Sequence, residues 1–313
     1  MATTKSTKTT KSSKPAATRK TVKKTAPKTA KVATREEVTT CAGNPLKGFF
    51  ARKYDANENV LTIFKNPRIY GAIIGEVVGT MLLTIILLTL GLYQPLYIMF
   101  GLIAITAAVY GLSGANLNPI VTVGMMASRR MSAIRGVIYI ISQILGAWFA
   151  FLVVNAFRGA GDNAAELPQV AEVDSAQFWV VTMIEFVAAI MIAFFFARAL
   201  AYKKSPLTFA AIVGGGIGAV ALVVMIVISS NFLSLQNNFV LNPAAALMYG
   251  IMPNGAENFG ELLGGASLAL VTYWIFPLLG GVIGFYLSDF AAKLSGECGY
   301  CGAKCICDGK TRK

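Results

Sequence analysis

The sequence predicts an all-α membrane protein with six transmembrane helices and two re-entrant half-helices in an inverted repeat. Three observations support this prediction. The chain has 313 residues, of which 55% are hydrophobic, and its mean hydropathy of +0.61 is too high for an ordinary soluble domain. Six stretches are apolar over the roughly 20 residues that a bilayer-spanning helix needs. Two Asn-Pro pairs interrupt this apolar pattern at corresponding places in the two halves of the chain.

The six predicted spans lie between two polar tails. The first span begins about 70 residues from the N-terminus, which is too late for a cleaved signal peptide. The spans are placed at residues 70–92, 96–112, 133–157, 177–201, 208–231 and 266–289. The predicted organisation is a disordered tail (1–69), a membrane domain (70–290, with halves at about 70–157 and 177–290) and a second tail (291–313).

Each Asn-Pro pair marks the start of a helix inside the membrane. Asn is a favoured N-cap, and Pro suits the first helical position because its missing N–H would have no partner there. The motif residues are Asn118, Pro119 and Ile120 in the first half and Asn242, Pro243 and Ala244 in the second. The half-helices expected at about 118–128 and 242–252 would together cover the hydrocarbon core of about 30 Å. Non-helical backbone at that depth must be buried or line a polar cavity, so the two starts indicate a pore.

One acidic residue lies inside a span in each half, Glu76 and Glu185. An ionised side chain at a span centre costs about 2.5–3.5 kcal/mol on insertion scales, so both must face inward and find partners. Because each half has three spans, which is an odd number, the second half is inverted relative to the first.

The charge distribution predicts the orientation in the membrane. Residues 1–69 carry 16 of the 28 Lys and Arg residues and only four acids. If this tail is cytoplasmic, the segments on the other side hold one basic residue, Arg158, and six acids. That distribution satisfies the positive-inside rule, and we expect both termini in the cytoplasm.

The two tails each leave alternatives open. Residues 1–35 contain 11 basic residues and no acid, and such a segment cannot bury enough apolar surface to fold alone. It is a solvated tail without a specific role, a contact for anionic lipid or a contact for nucleic acid. The second tail contains Cys298, Cys301, Cys305 and Cys307. These cysteines hold a zinc ion, carry acyl chains or do neither.

The sequence around the two Asn-Pro pairs resembles the aquaporin, or major intrinsic protein, family. Residues 113–124 read SGANLNPIVTVG, where the family has S-G-A-H-x-N-P-A-V-T-x-G, and the second motif keeps N-P-A. Further matches in the first, third and sixth spans are Glu76 with Gly79 and Thr80, Gln143 with Gly146 and Ala147, and Tyr273, Trp274, Pro277, Gly280, Gly281 and Gly284. The resemblance covers about residues 70–290.

Three departures from the family pattern bear on the pore. Ile120 replaces the usual Ala, and Asn116 replaces a common His. Ala245 stands where the family usually has an Arg that narrows the outer mouth and places a positive charge there. Its absence favours neutral solutes larger than water, such as glycerol or urea, or ammonia. The resemblance names the selectivity-filter candidates as Ala245, Phe239 and either Ile98 or Phe100.

The resemblance implies a passive channel for water and/or small neutral solutes, assembled as a homotetramer. It implies no enzymatic activity and no cofactor. Asn118 and Asn242 would donate amide N–H groups into the pore. Glu76 and Glu185 would hold the re-entrant backbone through its N–H groups, with a proton relay as the alternative role. The alternative function is a non-conducting membrane scaffold whose basic tail binds nucleic acid or anionic lipid.

Overall fold

The computed structural model describes residues 60–90, 94–159, 178–202, 205–229, 239–249 and 268–295. Its helices are α1 (Val60–Lys65), α2 (Arg68–Leu90), α3 (Pro95–Ser113), α4 (Pro119–Ala127), α5 (Ala133–Gly159), α6 (Phe178–Ala201), α7 (Pro206–Ser229), α8 (Pro243–Ala246) and α9 (Leu268–Leu294). Most of the N-terminal tail and the four C-terminal cysteines lie outside the described residues, so the expectations for them stay predictions.

The six predicted spans correspond to α2, α3, α5, α6, α7 and α9, each long and apolar enough to cross a membrane. The observed bounds differ from the predicted ones by at most five residues, because helix ends carry less periodic signal than helix interiors. The all-α fold with six spanning helices is therefore confirmed.

Helix α1 corrects the prediction that residues 1–69 form a disordered tail. Ile63 of α1 is buried in a small cluster with Met131 and Tyr139, and Ile69 of α2 belongs to the same cluster. This apolar contact stabilises a turn of helix that charge counting alone assigned to the tail. The described part of the chain thus begins with a helix at Val60.

The helices pack as two related halves. In the first half α2 packs against α5 and α3, and in the second half α6 packs in the same way against α9 and α7. Helices α3 and α7, which correspond to each other, form the main contact between the halves. Gly214 of α7 allows this approach, because a Cβ atom there would lie 2.7 Å from the backbone nitrogen of Ile103. Small residues at helix contacts are a common device in membranes.

The described parts of the two half-helices differ in length. Helix α4 has nine residues, close to the prediction of 118–128, and packs against α5 and α9. Helix α8 has four residues and continues as a 3-10 turn, Leu247–Tyr249. The rest of the predicted half-helix, up to residue 252, lies outside the described residues.

A buried ion pair ties the end of α4 to α9. Arg130, just after α4, donates a hydrogen bond from Nη2 to Oδ1 of Asp289, and both side chains are buried. The guanidinium carbon also lies 5.2 Å from the ring centroid of Phe285. Nothing in the one-dimensional pattern predicted this pair, because its partners are 159 residues apart.

We expect Asp289→Leu to lower the free energy of unfolding by about 3–5 kcal/mol, because it leaves the Arg130 charge buried without its carboxylate. The double variant Arg130→Met, Asp289→Leu removes both charges and should recover most of that loss. Denaturant unfolding in detergent micelles measures both effects. A double variant no more stable than Asp289→Leu would contradict this account of the pair.

Candidate functional site

Asn118 and Asn242 cap the two half-helices with their side chains. Oδ1 of Asn118 accepts a hydrogen bond from the N–H of Ile120 at 2.9 Å. Oδ1 of Asn242 accepts one from the N–H of Ala244 at 3.0 Å. Both caps have extended backbone, and Pro119 and Pro243 occupy the first helical positions. Each cap satisfies N–H groups that a helix start would otherwise leave unpaired.

The same two side chains cross over to the opposite half. Nδ2 of Asn118 donates to the carbonyl oxygen of Leu241 at 2.9 Å, and Nδ2 of Asn242 donates to the carbonyl oxygen of Leu117 at 3.0 Å. We call these four residues the midplane brace. An amide nitrogen carries two hydrogens, so each asparagine retains one N–H that has no partner among the described residues.

Leu117 and Leu241 have a left-handed backbone, with φ of 55° and 57°. This conformation costs roughly 1–2 kcal/mol for a residue with a side chain, and it persists only where surrounding contacts impose it. The brace fixes the carbonyl of each leucine, and a carboxylate fixes its N–H. The equivalent strain in both halves is what an inverted repeat requires.

Glu76 and Glu185 are those carboxylates. Glu76 accepts the N–H of Asn116 on Oε1 at 3.0 Å and the N–H of Leu117 on Oε2 at 2.8 Å. Glu185 accepts the N–H groups of Val240 and Leu241 on Oε1 at 2.7 and 3.2 Å. Each glutamate is at most 1% exposed and holds the two residues before its Asn-Pro pair.

The first half supports its glutamate further. Nε2 of Gln143 donates to Oε2 of Glu76 at 2.7 Å, and Ser113 contributes a side-chain hydrogen bond. Oε2 of Glu185 accepts no hydrogen bond from the described part of the chain. The groups that hydrogen-bond the two carboxylates are backbone N–H, amide and hydroxyl groups, which do not titrate. This favours the anchoring role over the proton relay.

A narrow cavity lies beside the midplane brace. The volume open to the centres of water-sized molecules is about 30 Å³, enough for roughly two waters at 10–15 Å³ each. The cavity is lined by Leu83, Leu87, Ile98, Leu102, Ala115, Asn116, Leu117, Asn118, Val213, Ile217, Ala221, Val240, Leu241 and Asn242. Its wall is therefore aliphatic except around the three asparagines, and none of these described lining residues is charged.

The four filter candidates separate into one that lines this cavity and three that do not. Ile98 lines it, whereas Phe100 is 64% exposed on the opposite face of α3, about 200° further round the helix. Of these two alternatives for one filter position, only Ile98 therefore lines the cavity that the described residues enclose. Phe239 and Ala245 are buried in the apolar core and do not line the cavity that the described residues enclose. Their place in the outer constriction stays a prediction, because the neighbouring segments 231–238 and 250–267 lie outside the described residues.

Ile120 does not obstruct the cavity. Its side chain is fully buried, and its carbonyl oxygen faces Gly281 of α9, where a Cβ atom would lie 2.3 Å away. The larger side chain at the first motif is therefore accommodated against α9, away from the asparagine amides.

Most of the residues that line the cavity were not predicted from the sequence. Val213, Ile217 and Ala221 of α7 recur every four residues and so share one face, but every face of that helix is apolar. Leu83 and Leu87 follow Glu76 at intervals of seven and four residues, and this spacing could have placed them on the same face as the buried acid.

Comparisons with known proteins give one consistent family. Residues 63–288 match the family model described as Major intrinsic protein. The chain is 31% identical over 204 residues to "Glycerol uptake facilitator protein-like 6" of Lactiplantibacillus plantarum, covering 63% of this chain and 83% of that protein. It is 42% identical over 53 residues to "Probable aquaporin PIP2-1" of Oryza sativa subsp. japonica, covering 17% of this chain and 18% of that protein.

Among solved structures, the aquaglyceroporin from Plasmodium falciparum is similar to this chain with a TM-score of 0.48 and 20% sequence identity. The match covers 70% of this chain and 93% of that one.

The two glutamates should respond differently to the same substitution. In Glu76→Gln, one of the two accepting carboxylate oxygens becomes an NH2 group that faces another N–H donor. In Glu185→Gln, the amide oxygen can take the place of the single accepting oxygen. We expect Glu76→Gln to lower the unfolding free energy by about 1–3 kcal/mol more than Glu185→Gln. Denaturant unfolding in detergent measures the difference, with Glu185→Leu as the control that removes the acceptor. Equal losses for the two Gln variants would refute the unequal anchoring.

Proposed function

The chain belongs to the major intrinsic protein family, and from this membership we propose that it is a passive channel for water and small neutral solutes of about the size of glycerol or urea. It is a multi-pass integral membrane protein, and the family consists of channels for water or small solutes. The proposal includes no enzymatic step and no cofactor. The comparisons give no support to the alternative of a non-conducting scaffold.

The midplane brace beside the cavity carries this proposal. Each asparagine uses one N–H to hold the opposite loop and keeps one N–H for a molecule in the cavity. The N-terminal ends of α4 and α8 add positive helix-dipole ends at the same place, which disfavour cations. A neutral molecule with an oxygen or nitrogen acceptor fits such a site.

The size and lining of the cavity support the choice of solute. Its volume of about 30 Å³ has room for roughly two waters, which suits small molecules. Its aliphatic wall can make apolar contacts with the carbon skeleton of a solute. The similar protein of L. plantarum is named for glycerol uptake. Ammonia is small and neutral and meets the same conditions. In this proposal the roles of Asn118 and Asn242 are to orient the solute, and those of Glu76 and Glu185 are to hold the loops.

The orientation and assembly complete the proposal. Both termini face the cytoplasm, because basic residues concentrate at that end of the described spans, as Arg129 and Arg198 illustrate. The subunits form a homotetramer with one pore each, in keeping with the family resemblance. The basic N-terminal tail is a solvated segment without a specific role, or it contacts anionic lipid or nucleic acid.

We expect Asn242→Leu to abolish permeation of water, glycerol and urea while the protein still inserts into the membrane. The substitution removes the cap of α8, the contact with Leu117 and the N–H offered to the solute. Stopped-flow light scattering on proteoliposomes measures the three fluxes. Phe100→Ala is the matched control, because Phe100 faces away from the cavity and its loss should leave all fluxes unchanged. Wild-type fluxes in correctly inserted Asn242→Leu protein would contradict the proposal.

Ala221→Leu should close the cavity to larger solutes first. It adds three carbon atoms to a wall around a space that holds roughly two waters. We expect glycerol flux to fall to the level of empty vesicles and water flux to fall less. The neighbouring Leu222→Ala, on the outward face of α7, is the control. Unchanged glycerol flux in Ala221→Leu would show that solute does not pass this wall.

A further inference from the structure

The hydroxyl group of Thr122, on α4, is fully engaged. It donates to the carbonyl oxygen of Asn118 at 3.2 Å. Nε2 of Gln143 lies 2.9 Å from Oγ1 of Thr122, and this atom must be the nitrogen because it also faces the carboxylate of Glu76 at 2.7 Å. A hydroxyl has one hydrogen and two lone pairs. With its hydrogen directed at the carbonyl of Asn118, Oγ1 of Thr122 accepts from its remaining neighbour, the side chain of Asn116.

This arrangement fixes the orientation of the Asn116 amide. The atom that faces Thr122 at 3.3 Å is Nδ2, because an oxygen there would compete with the carbonyl of Asn118 for the single hydroxyl hydrogen. The backbone N–H of Asn116 is bound to Glu76, so the residue cannot turn as a whole. Oδ1 accepts no hydrogen bond within the described part of the chain, and Asn116 lines the cavity with only 5% of its surface exposed.

The polar groups in the cavity then have complementary characters. Asn118 and Asn242 each offer an N–H, whereas Asn116 offers an oxygen that accepts. Water in single file can direct its hydrogens to the waters before and behind it. A solute such as urea directs N–H groups sideways, and each acceptor on this largely aliphatic wall lowers the free-energy cost of leaving those groups unpaired.

We propose that Asn116 is a specificity-determining residue, whose side-chain oxygen accepts a hydrogen bond from the solute and favours neutral solutes that carry several N–H or O–H donors. The Glu76–Gln143–Thr122 chain positions this oxygen. The inference rests on the proposed channel function and adds to it that the protein recognises the hydrogen-bond donors of the solute.

The test compares urea and water permeability of reconstituted variants. Asn116→Leu has nearly the same size and removes the acceptor, so the urea-to-water permeability ratio should fall at least about threefold, the value of one hydrogen bond. Thr122→Val leaves Asn116 in place but releases its amide, and the ratio should fall by a smaller factor. Thr106→Val is the matched control, since Thr106 is a buried threonine of α3 that does not line the cavity. An unchanged ratio in Asn116→Leu overturns the proposal.

A second measurement is independent of flux. In bilayers, magic-angle-spinning NMR of protein with 13Cγ-labelled asparagine detects transfer from water or urea protons to Cγ of Asn116. The signal is assigned by its loss in Asn116→Leu or Asn116→Ser. We expect transfer, and its absence overturns the proposal even if the protein conducts. Wild-type fluxes equal to those of empty vesicles, together with transfer at Asn116, would refute the channel function and uphold the acceptor.

Discussion

Backbone polar groups at the centre of a membrane have no water to bind, and the rest of this structure depends on how two interrupted helices meet that constraint. At each interruption the N–H groups of two residues go to a buried glutamate of the same half, and a carbonyl goes to an asparagine of the other half. Neither half can satisfy its own interruption. The six spans therefore have to hold the halves in register, and the close packing of α3 on α7 does so.

In the proposed channel, the asparagines serve the fold and the pore with different atoms. Oδ1 caps a half-helix, one N–H crosses to the opposite loop, and the second N–H is left for the cavity. This division explains why polar side chains persist in a wall that is otherwise aliphatic. The two halves are unequal in their support, because Glu76 is bound by Gln143 and Ser113 in addition to backbone, whereas Glu185 holds its loop through one oxygen. The first half thus provides the more firmly held side of the cavity within the described residues.

The sequence predicted those features whose chemistry is costly in a membrane. The Asn-Pro pairs, the two buried glutamates and the six spans were placed by local rules and by the family resemblance. Ile98 and Phe100 stayed alternatives for one filter position, and these two residues lie on opposite faces of α3. Val213, Ile217 and Ala221 gave no signal, since an all-apolar helix does not show which face meets a cavity. The Arg130–Asp289 pair and the orientation of the Asn116 amide depend on contacts between distant segments, which no local pattern encodes.

The most direct test of the central claim is the activation energy of water flux in vesicles that contain the folded wild-type protein. If the midplane brace holds open a continuous path for water through the membrane, the flux should exceed that of empty vesicles. Its activation energy should then be close to that of water diffusing in bulk. A flux and an activation energy equal to those of the lipid alone would contradict the account, since a brace without a conducting lumen would then serve only the fold.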